Sequence, residues 1–505
     1  MMIARICDCV GVSPRSPDAA HCAWRKTSAT LASPATTRWA VVGSDGVSGT
    51  SCWGMVRNTM DSEASQSTAF LIRAHDDTCT GQGLECRMTS SVPKDAPASS
   101  LSAPRPVTFV ADPAASARLR LPVRRASSPF FRDAFRPFYL GGAIVAAVAV
   151  PMWLGMWYHQ YFTPSLPALY WHMHEMVFGF VAAIIIGFLF TAARKWTGLP
   201  LPSGAPLAFL FALWIAARIG MFAAYSPATA CIDASLLVIA AGVLAHKFIR
   251  ARSWCSMPLV VVLLALASTN IAFHAAMHGL IAYSPMGAVE LGLMFVVLVE
   301  MIVGGRVVPG FTANAIPGVR QFRSQWLHRG SFGLAAAAFV ADALHAPGPV
   351  SGTLAMMAAA AVAAQALGWN PLATRGRPIL WILHVGYGFI PVGLLLLGLS
   401  AFGVVTRSAA IHALAVGSMG GLIIGMITRT ALGHSGRPIR ADRAEVAAYL
   451  LVLLAAALRV AASLAPPAYL ASMLAAGVAW TTAFIIYLVA YTPVLLGLRT
   501  PQPRT

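Results

Sequence analysis

The sequence predicts an all-α integral membrane protein that crosses the bilayer with about twelve helices. Its 505 residues are 57% hydrophobic and only 11% charged, a composition far from that of a soluble globular protein. Apolar stretches long enough to span a bilayer, about 20 residues, recur from residue 136 onward with short polar breaks between them. Arginine and lysine are concentrated in alternate breaks, as expected for a chain that passes back and forth through a membrane.

The apolar stretches give the order and the limits of the predicted helices. The seventh and eighth differ from the others because they are short and rich in alanine. Residues 129–498 are therefore interpreted as a twelve-helix membrane domain, followed by a short tail at 499–505. The predicted spans are residues 136–157, 172–193, 205–225, 229–247, 258–280, 286–308, 331–346, 350–368, 379–400, 408–430, 445–465 and 469–497.

The positive residues predict how the helices are oriented. The even-numbered connections carry most of the arginines and lysines, whereas the odd-numbered connections carry almost none apart from Arg407. Cytoplasmic loops retain positive charge, so an even number of helices places both termini in the cytoplasm. The net charge of +18 follows largely from this topology. Arginines and lysines interleaved with aromatic residues on one surface, which nucleic-acid binding requires, do not occur, and we predict no nucleic-acid partner.

Residues 1–128 differ in composition from the membrane part. They are basic, contain much serine and alanine, hold six of the eight cysteines, and show neither helical nor strand periodicity. The cysteine spacings match no compact zinc-binding pattern. We predict a disordered extension, either a cytoplasmic tail or the product of a gene start assigned too far upstream.

Five histidines are predicted to lie at one depth, near the outer ends of their helices. His172 and His174 begin the second helix, His274 and His278 end the fifth, and His412 lies about one turn into the tenth. Imidazole binds copper, zinc and haem iron, and a bound metal removes the cost of a polar group in lipid. A metal or haem site among them is the prediction. The alternative for each histidine is a hydrogen bond between helices.

The spacing of these histidines limits which of them can share an ion. His274 and His278 are four residues apart and lie on one helix face. His172 and His174 point about 200° apart on an ideal helix. We therefore expect either His172 or His174 to bind the metal. The other histidine, together with Glu175, is expected to orient the metal-binding group or to relay protons.

Several charged residues lie within the predicted spans. Arg218 and Arg459 have two interpretations: they pair with carboxylates such as Glu290 and Glu175, or one of them holds the propionates of a haem, since arginine binds carboxylates bidentately. Carboxylates at such depths are typical of proton relays. Glu175 and Glu300 are the candidates for that role.

The ninth and tenth helices add two further features. His384 lies inside the ninth helix, about a turn and a half from its inner start, and is a candidate haem ligand. The tenth helix carries Gly417, Gly421 and Gly425. This small-residue pattern indicates close helix packing, although a flat cofactor would use the same surface.

Six motifs resemble the NnrS family of bacterial membrane proteins. The resemblance covers roughly residues 130–498. The motifs are FRPFYL at 135–140, HMHEMVFGFVAAIIIGFLFTAARKWTG at 172–198, LWIAARIG at 213–220, GGRVVPGFT at 304–312, HVGYGFIPVGLLLLGL at 384–399 and IHALAVGSMGGLIIGMITRTALGHSGRP at 411–438.

The resemblance implies a twelve-helix protein of the bacterial inner membrane, linked to nitric oxide metabolism and nitrosative stress, that holds haem and copper. One departure is VVPGFT, where the family commonly has bulky aromatic residues before the threonine; Gly310 is expected to loosen a loop there. The family's histidine-bearing motifs match His172, His174, Glu175, His274, His384, His412 and His434, and its arginine positions match Arg218 and Arg306.

Three functions are consistent with these features. The first is a haem and copper protein that binds nitric oxide, with or without a redox reaction and an electron donor that the sequence does not identify. The second is a transporter with Glu300 in its pathway, but no internal repeat between residues 136–308 and 331–498 supports it. The third is an accessory protein that binds nitric oxide or the metal without catalysing a reaction.

Overall fold

The structure is a computed structural model that describes residues 39–43, 54–58, 129–158, 161 and 164–498. In the N-terminal segment it shows two antiparallel strands, β1 (Trp39–Gly43) and β2 (Gly54–Asn58), with Trp39 opposite Asn58 and Gly43 opposite Gly54. The rest of the predicted N-terminal extension lies outside the described residues, and so does the tail at 499–505.

Twelve helices make up the membrane part of the described chain. Eleven of them are long and apolar enough to span a membrane, which confirms the all-α polytopic prediction. They are α1 (Phe135–Tyr158), α2 (Ala168–Thr197), α3 (Ala205–Ala223), α4 (Pro227–Arg250), α5 (Met257–Met277), α6 (Pro285–Ala315), α7 (Gln325–Ala343), α8 (Gly348–Gly368), α9 (Pro378–Ala401), α10 (Arg407–His434), α11 (Arg443–Leu464) and α12 (Tyr469–Leu495).

Helix α7 is the one that falls short of a typical spanning helix. Its 19 residues include His328, Arg329 and Asp342, and this segment was already set apart in the sequence by its shortness. Its neighbour α8 is sufficiently apolar. The polar content of α7 is accommodated inside the protein, where His328 and Gln365 of α8 form a 2.8 Å hydrogen bond.

Helix α6 corrects one prediction. The segment VVPGFT does not form a loop after residue 308, because α6 continues through it to Ala315 with Pro309 inside the helix. Pro309 has no N–H, so the helix lacks one hydrogen bond there. The carbonyl of Pro309 accepts a hydrogen bond from the guanidinium of Arg323 at 2.6 Å. Gly310 therefore lies in a helix and loosens no loop.

Neighbouring helices in the sequence pack against each other, and α12 packs against both α11 and α1. The guanidinium of Arg136, near the start of α1, donates to the carbonyls of Val494 at 2.8 Å and Leu495 at 3.0 Å. These bonds satisfy carbonyls that the end of α12 leaves free. The outer surface of the bundle is apolar, as a lipid environment requires; exposed residues include Ile219, Val478 and Val489.

The glycines of α10 are packing residues. A Cβ atom on Gly417 would overlap the ring of Phe389, and one on Gly421 would lie 2.9 Å from the Cα atom of Gly386. Both contacts are with α9, which covers this face of α10. The packing interpretation is therefore confirmed, and a flat cofactor has no room on the glycine face.

Candidate functional site

Helices α2 and α10 each contain a π-helical segment that begins directly after a histidine. In α2 the segment Glu175–Val181 follows His174, and in α10 the segment Ala413–Gly420 follows His412. A π-helical turn inserts one residue into the helix, changes the direction of the side chains around it, and is frequently found at functional sites. These two segments thus mark the N-terminal halves of α2 and α10 as places where side-chain direction matters.

Helix α2 directs its two histidines to opposite sides. Its first residue is Ala168, so both His172 and His174 belong to a regular helical turn, where residues two apart point about 200° from each other. His174 faces α4 and α5, where it meets Asp233 and His274. His172 faces a cavity that His412 also lines. Four of the five grouped histidines therefore divide between two sites.

The first site, which we call the buried cluster, is a network of polar side chains between α2, α3, α4 and α5. Each of its imidazoles and carboxylates is almost fully buried, and the side chain of Arg218 is 10% exposed. Its members are His174, Glu175, Arg218, Asp233, Asn270 and His274.

Asp233 is the centre of the buried cluster. Its Oδ2 atom lies 3.1 Å from Nε2 of His174 and 3.1 Å from Nε2 of His274, and it accepts a hydrogen bond from the Asn270 amide at 2.8 Å. The guanidinium of Arg218 contacts the other oxygen of Asp233 and donates to Glu175 Oε1 at 2.8 Å. Two carboxylates and one guanidinium leave the cluster with one negative charge.

The ring of His174 faces hydrogen-bond acceptors on both sides. Its Nδ1 atom lies 3.3 Å from Glu175 Oε1. Its Nε2 atom lies 3.0 Å from the side-chain Oδ1 atom of Asn270 and 3.1 Å from Oδ2 of Asp233. A neutral imidazole carries a single N–H. One ring nitrogen of His174 therefore faces oxygen atoms without a hydrogen, unless a second proton or a metal ion lies between them.

The geometry of the buried cluster suits a metal ion. One nitrogen of His174, one nitrogen of His274 and one oxygen of Asp233 all lie within 4.8 Å of each other. Protein ligands bind zinc or copper at about 2.0–2.2 Å, which places neighbouring ligand atoms roughly as far apart as the 3.1 Å separations seen here. A divalent ion would also compensate the negative charge of the cluster.

Tyr225 determines the tautomer of His274. Its hydroxyl lies 3.1 Å from Nδ1 of His274. Because Nε2 of the same ring faces the Asp233 carboxylate, which only accepts hydrogen bonds, Nδ1 is the unprotonated nitrogen and the Tyr225 hydroxyl donates to it. The Nε2 atom of His274, which faces Asp233, is then the position that carries either a hydrogen or a metal.

His278 is set apart from His274 by a tyrosine, although it lies only four residues after it. Tyr225 lies between them, with its ring stacked on that of His278 at 5.0 Å and of His274 at 5.8 Å. The Nε2 atom of His278 has no hydrogen-bond partner among the described residues. Its ring does not belong to the group of ligand atoms within 4.8 Å of each other, which comes from His174, Asp233 and His274, so its role as a metal ligand stays a prediction.

The second site, which we call the outer cavity, is a space of about 490 Å³ between α1, α2, α6, α10, α11 and α12. This volume lies in the range of cofactor and ligand pockets. Apolar side chains provide most of the lining, with several aromatic residues and methionines among them, and the polar groups are few. The lining includes Trp153, Trp157, Met173, Met176, Met286, Met419, Met473, Tyr469 and Trp480, together with His172, His412, Arg407, Glu290 and Arg459.

The two histidines of the outer cavity have a free ring nitrogen for a ligand. Nδ1 of His172 is buried without a hydrogen-bond partner in the described chain, and its ring stacks on Trp153 at 4.3 Å. Nδ1 of His412 donates to the carbonyl of Ser408 at 2.7 Å. This bond leaves Nε2 of His412 as the unprotonated nitrogen, the form that binds a metal.

Arg459 is the cationic group of the outer cavity that lacks a carboxylate partner among the described residues. It donates to Ser463 Oγ at 2.9 Å and to Ser408 Oγ at 3.4 Å. Glu290 instead pairs with Arg407 at 2.7 Å. Of the two predicted arginines, Arg218 is thus committed to an internal ion pair, and Arg459 can bind an anionic group.

The remaining predicted residues lie apart from both sites. Nε2 of His384 shares a 2.8 Å hydrogen bond with Thr312 Oγ1. Glu300 accepts a hydrogen bond from Ser418 Oγ at 2.6 Å. Near the inner ends of the helices, Arg306 lies over the ring of Trp196 at 5.4 Å and His434 contacts Phe135. The haem-ligand role of His384 and the motif roles of Arg306 and His434 stay predictions.

Sequence reasoning missed two members of the buried cluster, Asp233 and Asn270, and also Tyr225, which contacts His274 at its edge. A signal existed for Asp233, because it is the one acidic residue within α4 and acidic residues are rare in spanning helices. No comparable signal existed for Asn270 or Tyr225, since their importance comes from neighbours on other helices.

Comparison with known proteins identifies the family. The family model described as NnrS protein matches residues 129–499, which is the whole membrane part of the chain. The chain belongs to the NnrS family. A comparison with curated proteins gave no match. Membership implies a multi-pass membrane protein of the nitric oxide response from a metal-binding family. The NnrS-family match begins at residue 129, directly after the N-terminal extension.

Proposed function

We propose that this NnrS-family protein binds haem and copper in two separate sites near the outer face of the bacterial inner membrane, and binds nitric oxide there. The observation that carries the proposal is the division of α2: His172 lines the outer cavity with His412, and His174 joins Asp233 and His274. A protein with two kinds of metal centre needs two ligand sets, and one helix contributes to both.

The outer cavity fits haem in three respects. Its volume of about 490 Å³ and its aromatic and methionine lining suit a flat apolar group. His172 and His412 each offer a ring nitrogen, one of them buried without a partner in the described chain. Arg459 offers a guanidinium to a propionate. Bound haem would supply an iron atom that binds nitric oxide.

The buried cluster fits copper by the chemistry of its donors. Two imidazoles and a carboxylate are ligands for borderline divalent metals, and copper binds such sets more tightly than other divalent ions of the first transition row. Arg218 holds one oxygen of Asp233 and Glu175 holds Nδ1 of His174. Such partners fix the orientation of the metal ligands. Glu175 is then also positioned to exchange a proton with His174.

The test of this proposal is an absorption spectrum and a metal analysis of the protein purified from cells supplied with haem and copper. We expect a Soret band that shifts on addition of nitric oxide, and copper in a fixed ratio to protein. Absence of both would contradict the proposal and leave the transporter as the alternative.

Single histidine variants then assign the sites. His172→Ala and His412→Ala should lower haem content and leave copper unchanged, whereas His174→Ala and His274→Ala should do the reverse. His246→Ala at the inner end of α4 is the matched control, because this histidine lies in neither site. Loss of both metals together in each of the four variants would contradict the assignment to separate sites.

A further inference from the structure

A groove between α2, α6 and α10 extends from the middle of the membrane toward the inner face, and it belongs to neither proposed metal site. Its lining is apolar except for Tyr139 and Glu300. We call this space the inner groove; its walls include Ile185 and Phe188 of α2, Val303 and Val307 of α6, and Ile423 and Met426 of α10.

The walls of the inner groove suit a hydrocarbon chain. Phe188, Val303, Val307 and Met426 are partly exposed, although they lie at a depth where the membrane holds no water. The space of about 90 Å³ is well below the roughly 300–1,000 Å³ of a pocket for a cofactor or a drug-sized ligand. A flexible acyl chain, which enters from the surrounding bilayer and needs only a narrow space, fits both observations.

Two arginines lie at the inner end of the groove. Arg306 follows Val303 by three residues on α6, and Arg429 follows Met426 by three residues on α10, so each lies about one helical turn beyond a wall residue. Counted from the outer starts of α6 and α10, both arginines lie roughly 30 Å along the helix. This length matches the thickness of the hydrocarbon core, so the two guanidinium groups are at the depth of the lipid phosphates of the inner leaflet.

Each of these arginines contacts an aromatic ring of a neighbouring helix. The guanidinium of Arg306 lies over Trp196 of α2 at 5.4 Å, and that of Arg429 lies over Phe311 of α6 at 4.0 Å. The two pairs therefore join the same three helices that form the walls of the inner groove. Among the residues that the structure describes, neither guanidinium has a hydrogen-bond partner or a carboxylate partner, so both keep their N–H groups for a ligand.

The acidic residues of this half of the described chain are engaged elsewhere. Asp133 pairs with Arg194 at 2.8 Å, Glu445 forms a capping box with Asp442, and Glu300 accepts a hydrogen bond from a serine of α10 at 2.6 Å. Positive charge on the cytoplasmic side is ordinarily carried by loops, whereas charge within a spanning helix is costly unless it is paired. The arginines at the groove thus call for an anionic partner from outside the chain.

We propose that the inner groove binds an anionic phospholipid of the inner leaflet, with an acyl chain against its walls and the phosphate held by Arg306 and Arg429. Arginine binds phosphate oxygens bidentately and stays charged in apolar surroundings. Basic pockets between membrane helices on the cytoplasmic side bind anionic headgroups, and an indole such as that of Trp196 is typical of the headgroup level. The inference does not depend on haem or copper, because these side chains belong to neither proposed metal site.

Native mass spectrometry of the full chain tests the lipid preference. The protein, purified in detergent, is mixed with equal amounts of phosphatidylglycerol and phosphatidylcholine, and the lipids that remain bound are counted. We expect one phosphatidylglycerol per chain, preferred about tenfold over phosphatidylcholine. Inorganic phosphate at the same concentration should not displace it, because free phosphate has no chain for the groove. Absence of a preference, or displacement by inorganic phosphate, would overturn the proposal.

Variants separate the groove from the general charge of the inner face. Arg306→Gln with Arg429→Gln should abolish the preference, whereas the matched control, Arg440→Gln with Arg443→Gln, removes the same charge from exposed positions and should keep it. Val303→Phe narrows the groove, leaves both arginines in place and should lower retention of phosphatidylglycerol. Equal loss in the two double variants would show that the preference comes from surface charge and would overturn the site. Unchanged retention in Val303→Phe would overturn the role of the groove.

An experimental structure of the native chain in a phosphatidylglycerol bilayer disc decides the proposal even where a variant fails to fold. We expect an acyl chain in the inner groove and phosphate oxygens within hydrogen-bond distance of Arg306 and Arg429. A groove without a lipid chain, or a headgroup that contacts neither arginine, would show that the proposal is wrong.

Discussion

The buried cluster and the outer cavity lie on opposite sides of α2 and handle charge in opposite ways. In the buried cluster, Arg218 pairs with two carboxylates and nearly every polar atom has a partner within the protein. In the outer cavity, Arg459 has no carboxylate among the described residues and a ring nitrogen of His172 has no partner. The buried cluster therefore suits something as small as an ion, whereas the outer cavity leaves its polar groups for a larger ligand.

This difference follows from the cost of charge in a membrane. A lone carboxylate at this depth is expensive, and it is tolerated when it is paired and hydrogen-bonded. The buried cluster pairs and hydrogen-bonds its carboxylates with its own side chains. The exception is His174, one of whose ring nitrogens faces oxygen atoms without a hydrogen between them. The outer cavity is wide enough to admit water or a ligand, so Arg459 keeps its charge without an ionic partner.

The largest effect should come from Arg218→Ala. Removing this guanidinium leaves Glu175 and Asp233 as uncompensated buried charges, and breaking such pairs costs about 3–5 kcal/mol. Thermal unfolding in detergent micelles should show severe destabilisation. Arg407→Ala is the matched control: Arg407 also bridges two carboxylates, Glu290 and Asp342, but it is 42% exposed, so its loss should cost at most about 1 kcal/mol.

A rescue variant sharpens the contrast. Adding Glu175→Gln and Asp233→Asn to Arg218→Ala removes the unpaired charges and should recover much of the lost stability. If the triple variant were as unstable as Arg218→Ala, the interpretation of the cluster as a charge-compensated site would be wrong.

The second largest effect should come from Asp233→Asn, which preserves shape but removes the charge shared by the two imidazoles. We expect copper content to fall at least about tenfold, with the haem spectrum unchanged. Metal analysis and the Soret band measure both in one sample. Asn270→Asp is the informative partner variant, because it adds a carboxylate at the same ring nitrogen and should retain the metal. Equal loss of haem in Asp233→Asn would show that the two sites are coupled.

The third prediction concerns the outer cavity. Arg459→Gln should weaken haem binding roughly tenfold, the usual value of a hydrogen bond to a charged group, and leave copper unchanged. Haem with esterified propionates separates a charge effect from a packing effect. Unmodified haem should bind the native protein more tightly than the ester, and this preference should disappear in the variant. An equal preference in both proteins would mean that Arg459 does not bind the propionates.

Much of the fold could be predicted from the sequence, because the lipid environment restricts a spanning segment to a long apolar helix. The spans and the depth of His172, His274 and His412 followed from counting residues along each helix. Rotation about the helix axis could not be predicted, since lipid-facing and buried faces are both apolar. For this reason the sequence grouped five histidines in one layer, whereas the structure divides four of them between two sites.

The composition of the sites was the least predictable part. The partner of Arg218 depends on where α2 and α4 meet, which a single sequence does not specify. The π-helical segments after His174 and His412 also have no local sequence signal, because they depend on packing between helices. Asp233 was detectable as an acidic residue within a spanning helix, but its position between two imidazoles was not.

The smallest effect is expected for His278→Ala, which tests the boundary of the buried cluster. His278 stacks on Tyr225 but contacts neither Asp233 nor His174 among the described residues. We therefore expect unchanged copper and haem content and a loss of stability of about 1 kcal/mol or less, the value of one aromatic contact. Tyr225→Phe is the comparison, because it keeps the stacking and removes the hydroxyl that fixes His274. It should lower copper affinity while His278→Ala does not. Copper loss in His278→Ala would mean that the metal site reaches past Tyr225. The spacing of four residues between His274 and His278 would then be functional.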